Sequence, residues 1–353
     1  MRRRFWPNAL MNTFRPGSVA VCIVTRNEAG WLRHAVDSAC AQDWPDTEVW
    51  VFDAGSTDET PELMASLGRK YADLHYAPLP DPPDADRWGW LCQPGTEFVV
   101  RLGQADQLLP GYVRAALEAL REHSGAAYAH TSVQECDSTG NEEGTRWVEA
   151  PRGGTAYRDA DDALRALVEG SPLLSDTVTF RTSALCGPAR DGEMSLPPLA
   201  DYELFIRLAD AGHGSVAIDE ALASVHERRG PAAPDFEAQR YRLRGYRQVF
   251  EDSLLPAFRR RGWDTSPIAR RRIRLAKETV SACFHPAFTP EERADLLALV
   301  LDLGDSPGVR ARIRACSLGL GFWFDVQSEA QRGISAATKT ALARLRARRR
   351  ARV

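Results

Sequence analysis

The chain has 353 residues, a length that predicts about two domains, or one large domain with an appendage. Its composition, 44% hydrophobic and 26% charged, is typical of a globular protein and excludes a disordered, collagen-like or membrane-spanning chain. The net charge of −3 is unevenly spread: residues 1–15 carry four arginines and residues 335–353 carry one lysine and six arginines, which leaves about −14 for the acidic body between them. Such a body argues against a nucleic-acid-binding main domain.

From about residue 18 to 230, short apolar runs alternate with amphipathic stretches, which is the pattern of an α/β domain. The runs predict strands at 18–24, 48–52, 71–76, 97–102, 126–133, 177–181 and 215–218. Helical spacing predicts helices at 31–41, 60–67, 111–123 and 199–211, the second of them behind Thr57 and Asp58 as capping candidates. A polar loop is expected around 137–154.

Beyond residue 230 the pattern changes to helical periodicity with few strand signals, and Gly230, Pro231 and Pro234 interrupt the chain. The sequence therefore predicts four segments: a basic N-terminal segment (1–17), an α/β domain (18–230), a helical C-terminal region (231–334) and an arginine-rich tail (335–353). Two interpretations of the tail remain open, a solvated terminal helix and a contact with an anionic partner such as a membrane surface or a nucleic acid.

The cysteines, at positions 22, 40, 92, 136, 186, 283 and 316, are odd in number and form no CxxC pair. Cysteines so far apart are typical of reduced thiols, so we expect neither a disulfide framework nor a zinc site. Pro7, Asn8 and Asn12 interrupt the stretch in which a signal peptide would need its apolar core. Together these features predict a cytoplasmic protein.

Four motifs in chain order resemble those of glycosyltransferase family 2. VCIVTRNE at 21–28 is similar to the family's P-T-x-N-E/R, and VFDAGSTD at 51–58 to V-D-D-G-S-T-D. EFVVRLGQADQLLPGY at 97–112 is similar to E-Y-I-x-F-L-D-A-D-D-x-L-L-P-G-Y, and ADYELFIRLADAGH at 200–213 to E-D-Y-D-L-W-L-R-L-A-x-x-G-H. The resemblance covers about residues 18–228. It implies the GT-A fold, a Rossmann-like mixed sheet flanked by helices, with a C-terminal helical extension.

The first two motifs follow strands whose carboxyl ends should meet where the strand order reverses, which is where open α/β sheets bind ligands. The resemblance implies that these loops hold the nucleoside of a nucleotide sugar, with the Asp53 carboxylate accepting a hydrogen bond from the base. The matching residues are Thr25, Arg26, Asn27, Glu28, Asp53, Gly55 and Ser56. A purely structural interpretation stays open, because Asn27 and Glu28 also suit helix capping and the Asp53–Ser56 stretch suits a tight turn.

Several basic residues are expected to meet the diphosphate, whose charge needs a positive partner. Arg87 lies where the family often has A-R-N-x-G, and His226 and Arg228 lie where many members have R-x-H. Arg101 replaces a residue that is usually apolar in the family. Because a charge inside a buried strand needs a partner, Arg101 either points into the cleft or pairs with an internal acid.

The metal motif of the family is degenerate in this chain. Members carry Asp-x-Asp after the fourth strand, and its carboxylate binds Mg²⁺ or Mn²⁺, whereas the aligned residues here are Gly103, Gln104 and Ala105. Hard cations need charged oxygen ligands, so only Asp106 remains as a candidate metal ligand and no cofactor is firmly implied. Gln104 and Asp106 are also expected near the nucleotide sugar.

Asp201 aligns with the aspartate that, in the family, takes the acceptor's proton in an inverting displacement. Glu203 is the second candidate for this role, with Arg207 at i+4 as its expected ion-pair partner. Both acids also favour a helix start, so a structural role stays open. We therefore predict an inverting, hexosyl-type glycosyltransferase that takes a nucleotide sugar donor and an acceptor hydroxyl or amine, without a divalent metal. The alternative is a catalytically inactive relative that binds a nucleotide sugar or glycan, or partners another transferase.

Overall fold

The computed structural model describes residues 14–320 except 80–87, 138–139, 147, 149–153, 171–176, 187–198 and 227–234. The chain divides into two compact units, the first made of Met1–Ser195 with Ala200–Gly230 and the second of Leu196–Leu199 with Pro231–Val353. The arginine-rich tail and most of the basic N-terminal segment lie outside the described residues.

One mixed sheet of ten strands runs through the described part of the first unit. Its strands are β1 Arg15–Thr25, β2 Thr47–Asp53, β3 Leu74–Pro78, β4 Thr96–Leu102, β5 Gln107–Leu108, β6 Ala126–Cys136, β7 Glu142–Arg146, β8 Thr155–Arg158, β9 Val178–Arg181 and β10 Gly214–His226. The spatial order is β3-β2-β1-β4-β9-β6-β10-β5, with β7 beside β6 and β8 beside β10. The neighbours among β1 to β4 are parallel, and β9 runs antiparallel between β4 and β6.

Helices pack against this sheet and bury its apolar side chains. They are α1 Ala29–Cys40, α2 Thr60–Lys70, α3 Tyr112–Glu122, α4 Ala160–Ala166, α5 Thr182–Leu185 and α6 Ala200–Asp210. Leu32, Ala35, Val36 and Ala39 of α1 are fully buried in one core cluster with alternate residues of β1. The mixed sheet flanked by helices that the sequence predicts is therefore confirmed.

The last strand is longer than its sequence pattern predicts. The expected strand at 215–218 is only the beginning of β10, which has 13 residues. Register shifts between Ile218 and Ala221 and between Ala221 and Ala223 let the strand continue past the two acids at 219 and 220 while β6 stays its neighbour. The predicted polar loop around 137–154 likewise contains β7, whose residues are exposed or half-buried.

Cys92 and Cys186 form a disulfide, with their Cα atoms 6.5 Å apart. The expectation of reduced thiols is wrong for this pair. The prediction of a cytoplasmic protein can therefore no longer be based on reduced cysteines. The two residues are 94 positions apart in the chain, and the packing of α5 against the 3-10 turn Gly89–Cys92 brings them together. Such a pairing has no signature in cysteine spacing.

The described part of the second unit is helical. It contains α7 Phe236–Gln248, a π-helical turn at Val249–Leu254, α8 Leu255–Arg260, α9 Ser266–Thr279, a 3-10 turn at Ser281–Phe284, α10 Pro290–Leu303 and α11 Pro307–Ser317. Arg272 ties α9 to the end of α10, because its Nε donates a hydrogen bond to the Leu303 carbonyl (2.7 Å). A Cβ on Gly304 would lie 2.9 Å from the Arg272 carbonyl, so the close approach of these helices requires glycine there. Within the described ranges, no helix is long and apolar enough to cross a membrane.

His130 on β6 makes the stability of the first unit depend on pH. The side chain is buried, and its Nδ1 has no hydrogen-bond partner in the part of the chain that the structure describes. Burial, and to a smaller extent the charge of Arg158, lower the pKa of His130 to about 4. Histidine in the unfolded chain titrates near pH 6.5, so the unfolded state takes up a proton first as the pH falls, and stability drops from pH 6.5 towards 4. We expect the free energy of unfolding to lose about 2 kcal/mol between pH 7.5 and pH 5 through His130 alone.

Urea unfolding of the wild-type chain and of His130→Phe at both pH values measures this loss. The phenylalanine variant should lose about 2 kcal/mol less than the wild type on acidification. Burial also lowers the pKa of His213, but that residue is present in both proteins, so the difference between them isolates His130. Equal pH dependence in the two proteins would contradict the prediction.

Candidate active site

The parallel strands β1 to β4 end at one edge of the sheet. At this edge Thr25 is the register partner of Asp53, and Asp53 is that of Pro78. Because β1 has β2 on one side and β4 on the other, the strand order reverses at β1, and the loops that follow these strands border one opening.

Hydrogen bonds join the loop after β1 to the loops after β2 and β4. The Asn27 N–H donates to Ser56 Oγ (3.0 Å), and the Asn27 side-chain oxygen accepts from the Thr57 N–H (2.7 Å). The Arg26 N–H donates to Gln104 Oε1 (3.1 Å). Asn27 has a φ of 54°, in the left-handed region that asparagine tolerates better than most residues. The structure therefore brings Arg26, Asn27, Ser56 and Gln104 together, as their positions after the strands predict.

Asp53 is a fixed carboxylate beside this opening. Its Oδ1 accepts hydrogen bonds from the Ser56 N–H (2.8 Å) and the Ser56 hydroxyl (2.7 Å), and its Oδ2 accepts one from the Tyr76 hydroxyl. Partial burial disfavours the charge, but the hydrogen bonds from Tyr76 and Ser56 outweigh it and hold the pKa of Asp53 below its ordinary value. Gly55, with a φ of 84°, turns the chain between Asp53 and Ser56 in a conformation that favours glycine.

Tyr76 was not among the predicted site residues. It is 41% exposed near the carboxyl end of β3, and the position of the third predicted strand next to the second was the only signal that could have pointed to it.

Asp58 anchors the first turns of two helices. Its Oδ2 accepts a hydrogen bond from the Ala29 N–H (3.2 Å) in α1, and its Oδ1 accepts one from the Thr60 N–H (3.1 Å) in α2. Glu28 occupies the N-cap position of α1 without a side-chain capping bond. The capping considered for Asn27 and Glu28 is thus supplied by Asp58, while the hydroxyl of the fully buried Thr25 is not exposed to the opening.

Arg101 pairs with an internal acid, one of the two alternatives that its sequence position leaves open. Its Nη1 donates a hydrogen bond to Asp201 Oδ2 (2.7 Å), and the side chains of Arg101 and Asp201 are 22% and 31% exposed. The guanidinium also lies over the Trp88 ring, 4.9 Å from its centroid, in a cation–π contact. The ion pair joins the carboxyl end of β4 to the first turn of α6, and it holds one oxygen of the candidate base in place.

The turn after β4 does not form the metal site of the family. The Asp106 N–H donates to the Gly103 carbonyl (3.0 Å), and the Asp106 carboxylate folds back so closely that a Cβ on Gly103 would lie 2.5 Å from Oδ2. Asp106 is 7% exposed, and Gln104 Oε1 already accepts from Arg26. Gly103 and Ala105 supply no ligand, and the described residues contain no group of three His, Cys, Asp or Glu side chains that could hold a metal ion. These residues therefore do not fit Mg²⁺ or Mn²⁺.

Of four further predicted residues, Glu203 and His226 are buried in other surroundings. Glu203 is buried, and its Oε1 accepts hydrogen bonds from Arg207 Nε (2.9 Å) and Nη2 (2.6 Å), as the i+4 spacing predicts. His226 is buried at the end of β10, with its ring 4.8 Å from that of Trp31. Arg87 and Arg228 lie outside the described residues.

The fold is similar to that of solved glycosyltransferase structures. S. aureus TarS 1-349 matches with a TM-score of 0.55 and 16% sequence identity, over 89% of this chain and 91% of that chain. The structure of TarS 1-349 in complex with UDP-GlcNAc matches with a TM-score of 0.50 and 15% identity, over 86% of this chain and 92% of that one. These similarities show the GT-A fold and confirm the expected architecture.

The family follows from the sequence of the first unit. Residues 20–164 match the family model Glycosyl transferase family 2. This match confirms, over residues 20–164, the resemblance that the motifs indicate. Among curated proteins, no sequence matches this chain.

Proposed function

We propose that the chain is an inverting, hexosyl-type glycosyltransferase that moves a sugar from a nucleotide sugar to an acceptor hydroxyl or amine, with Asp201 as the base. The observation that carries the proposal is the geometry of Asp201: the side chain is partly exposed, Arg101 holds its Oδ2, and its Oδ1 accepts no hydrogen bond from the described residues. The complex of TarS with UDP-GlcNAc supports a nucleotide sugar as the donor.

In the proposed step, the acceptor's oxygen or nitrogen bonds to the anomeric carbon while its proton passes to Asp201 Oδ1. The bond between the anomeric carbon and the phosphate oxygen breaks, and its electron pair leaves with the nucleoside diphosphate. Arg101 acts as a positioning residue, because its hydrogen bond to Oδ2 restrains the rotation of the carboxylate. A base placed in this way contributes about 10²–10⁴-fold to the rate.

We propose further that the transfer needs no divalent metal, because the donor atoms after β4 do not fit one. The charge of Arg101 is already matched by Asp201, so the diphosphate has to meet other cations. Arg26 is exposed on the loop after β1, and Arg87 and Arg228 are the remaining candidates. A single cation about 4 Å from a phosphate is worth roughly 4 kcal/mol at an effective dielectric near 20, which is enough to replace part of a metal's contribution.

Nucleotide binding tests this proposal. We expect UDP, GDP or dTDP to raise the melting temperature of the purified chain in a saturable way. The nucleotide concentration that gives half of the maximal increase should be the same in EDTA and in Mn²⁺. A strict requirement for Mn²⁺ would contradict the metal-independent mechanism, and the lack of any nucleotide effect would contradict the donor site itself.

Two variants show whether the binding occurs at Asp53. Asp53→Ala should remove the thermal shift, because it removes the carboxylate that Ser56 and Tyr76 hold in place. Asp73→Ala changes an exposed acid just before β3 and serves as the matched control with an unchanged shift. Equal shifts in both variants would place the nucleotide elsewhere.

The proposal assigns the donor site to the first unit. We propose that the helical region at 231–334 contributes to acceptor choice, and that the arginine-rich tail at 335–353 meets an anionic surface.

A further inference from the structure

Hydrogen bonds from the chain itself occupy most of the accepting capacity of Asp53. An ionised carboxylate has two oxygens with about two acceptor positions each. Ser56 fills both positions of Oδ1 with its N–H (2.8 Å) and its hydroxyl (2.7 Å), and the Tyr76 hydroxyl fills one position of Oδ2. The hydrogen bonds that the described residues donate with good geometry therefore leave one acceptor position, on Oδ2, for a ligand, while the Gly55 N–H adds a weaker interaction that helps to lower the pKa of the carboxylate.

The protonation states support this count at neutral pH. The lowered pKa of Asp53 keeps its carboxylate ionised. Partial burial, together with the hydrogen bond to Asp53, raises the pKa of Tyr76, so its hydroxyl keeps the proton that it donates. Neither group changes its role between about pH 5 and pH 9.

The nucleobases differ in what they present to such an acceptor. Uracil and thymine offer one ring N–H between two carbonyl groups, so a single acceptor position satisfies them. Guanine offers a ring N–H beside an exocyclic amino group, and these two parallel donors need two acceptor positions, on one oxygen or on both. Adenine and cytosine present a ring nitrogen lone pair at the corresponding place, which a carboxylate repels.

We propose that Tyr76 makes this site selective for a uracil or thymine nucleotide over a guanine nucleotide. The inference rests on the proposed function, since it needs a nucleoside bound beside Asp53. Tyr76 acts by occupying the second position on Oδ2, which leaves the amino group of guanine without an acceptor. A donor left unpaired on binding weakens affinity by about tenfold or more.

Calorimetric titration with UDP, dTDP and GDP tests the inference on the wild-type chain and on Tyr76→Phe. We expect the wild type to bind UDP and dTDP at least about tenfold more tightly than GDP. Tyr76→Phe frees the second position on Oδ2 and should bring the ratio of the GDP and UDP dissociation constants to about threefold or less. Ser56→Ala frees a position on Oδ1 and should narrow the same ratio.

Tyr71→Phe is the matched control. The Tyr71 hydroxyl donates to Asp37 Oδ1 (2.6 Å), so this variant also removes a tyrosine-to-aspartate hydrogen bond, but one between α1 and the end of α2. The ratio of the GDP and UDP dissociation constants of Tyr71→Phe should equal that of the wild type. The ratio responds to base recognition and not to a general loss of stability, which affects all three titrations alike.

The outcomes separate this inference from the proposed function. If GDP binds the wild type as tightly as UDP, or if Tyr76→Phe leaves the ratio of the GDP and UDP dissociation constants unchanged, the selectivity assigned to Tyr76 is wrong. The proposed donor site is not affected by either result. If no nucleotide binds, the proposed function is wrong and the inference with it.

Discussion

Asp201→Asn is expected to lower turnover by about 10²–10⁴-fold while nucleotide binding stays close to wild type. Asparagine can still accept a hydrogen bond from Arg101 through its amide oxygen, so the contact between β4 and α6 persists in a weaker form. The amide cannot take the acceptor's proton, so the chemical step loses its base. Turnover is measured as release of nucleoside diphosphate from the donor that binds, and binding is measured by thermal shift.

Two variants on α6 complete this test. Asp210→Asn, at the last residue of the helix, changes the same charge away from Arg101 and should keep wild-type turnover. Glu203→Gln weakens a buried ion pair with Arg207 and should lower stability more than turnover at a temperature where the variant is folded. Unchanged turnover in Asp201→Asn would show that Asp201 is not the base. A wild-type chain that binds nucleotide but shows no turnover would favour the alternative function, a catalytically inactive relative.

The largest effect on stability is expected from the disulfide. Replacing Cys92 and Cys186 together by serine should lower the free energy of unfolding of the first unit by about 2–5 kcal/mol. The bond joins residues 94 positions apart, and the cross-link restricts a long loop in the unfolded chain. A loss of this size is a large part of the stability of an ordinary domain.

Urea unfolding with and without a thiol reductant measures the effect. The reductant should lower the stability of the wild type to that of the double variant, and leave the double variant unchanged. If the wild type unfolds at the same urea concentration in both conditions, the bond contributes nothing to folding in solution. Because Trp88 precedes the turn that carries Cys92 and its ring contacts Arg101, turnover should be followed in the same samples.

The central strands of the fold are predictable because the sheet buries them on both faces. β1, β2 and β4 appear in the sequence as short continuous apolar runs, which is what burial on two faces requires. β5 has two residues and β7 is polar and partly exposed, so neither produces such a run. Their positions come from the strands beside them, which a local pattern does not contain.

The same distinction applies to the site. Asn27, Asp53 and Ser56 could be placed together because parallel strands end at the same edge of a sheet. That Arg101 pairs with an acid was one of two alternatives, and the identity of that acid, Asp201, could not be predicted because the two residues are 100 positions apart. Tyr76 had no motif of its own, because its contribution depends on β3 lying beside β2.

The turn at Gly103 limits which side chains position 103 can accept. A mutation at position 103 alone would drive any new side chain into the carboxylate of Asp106, which stands 2.5 Å from where the Cβ would be. Asp106 would have to swing away first, losing its shielded place and its hydrogen bond with Thr177. A side chain at position 103 therefore requires Asp106 to leave its buried position, so the present conformation of this turn depends on glycine at position 103.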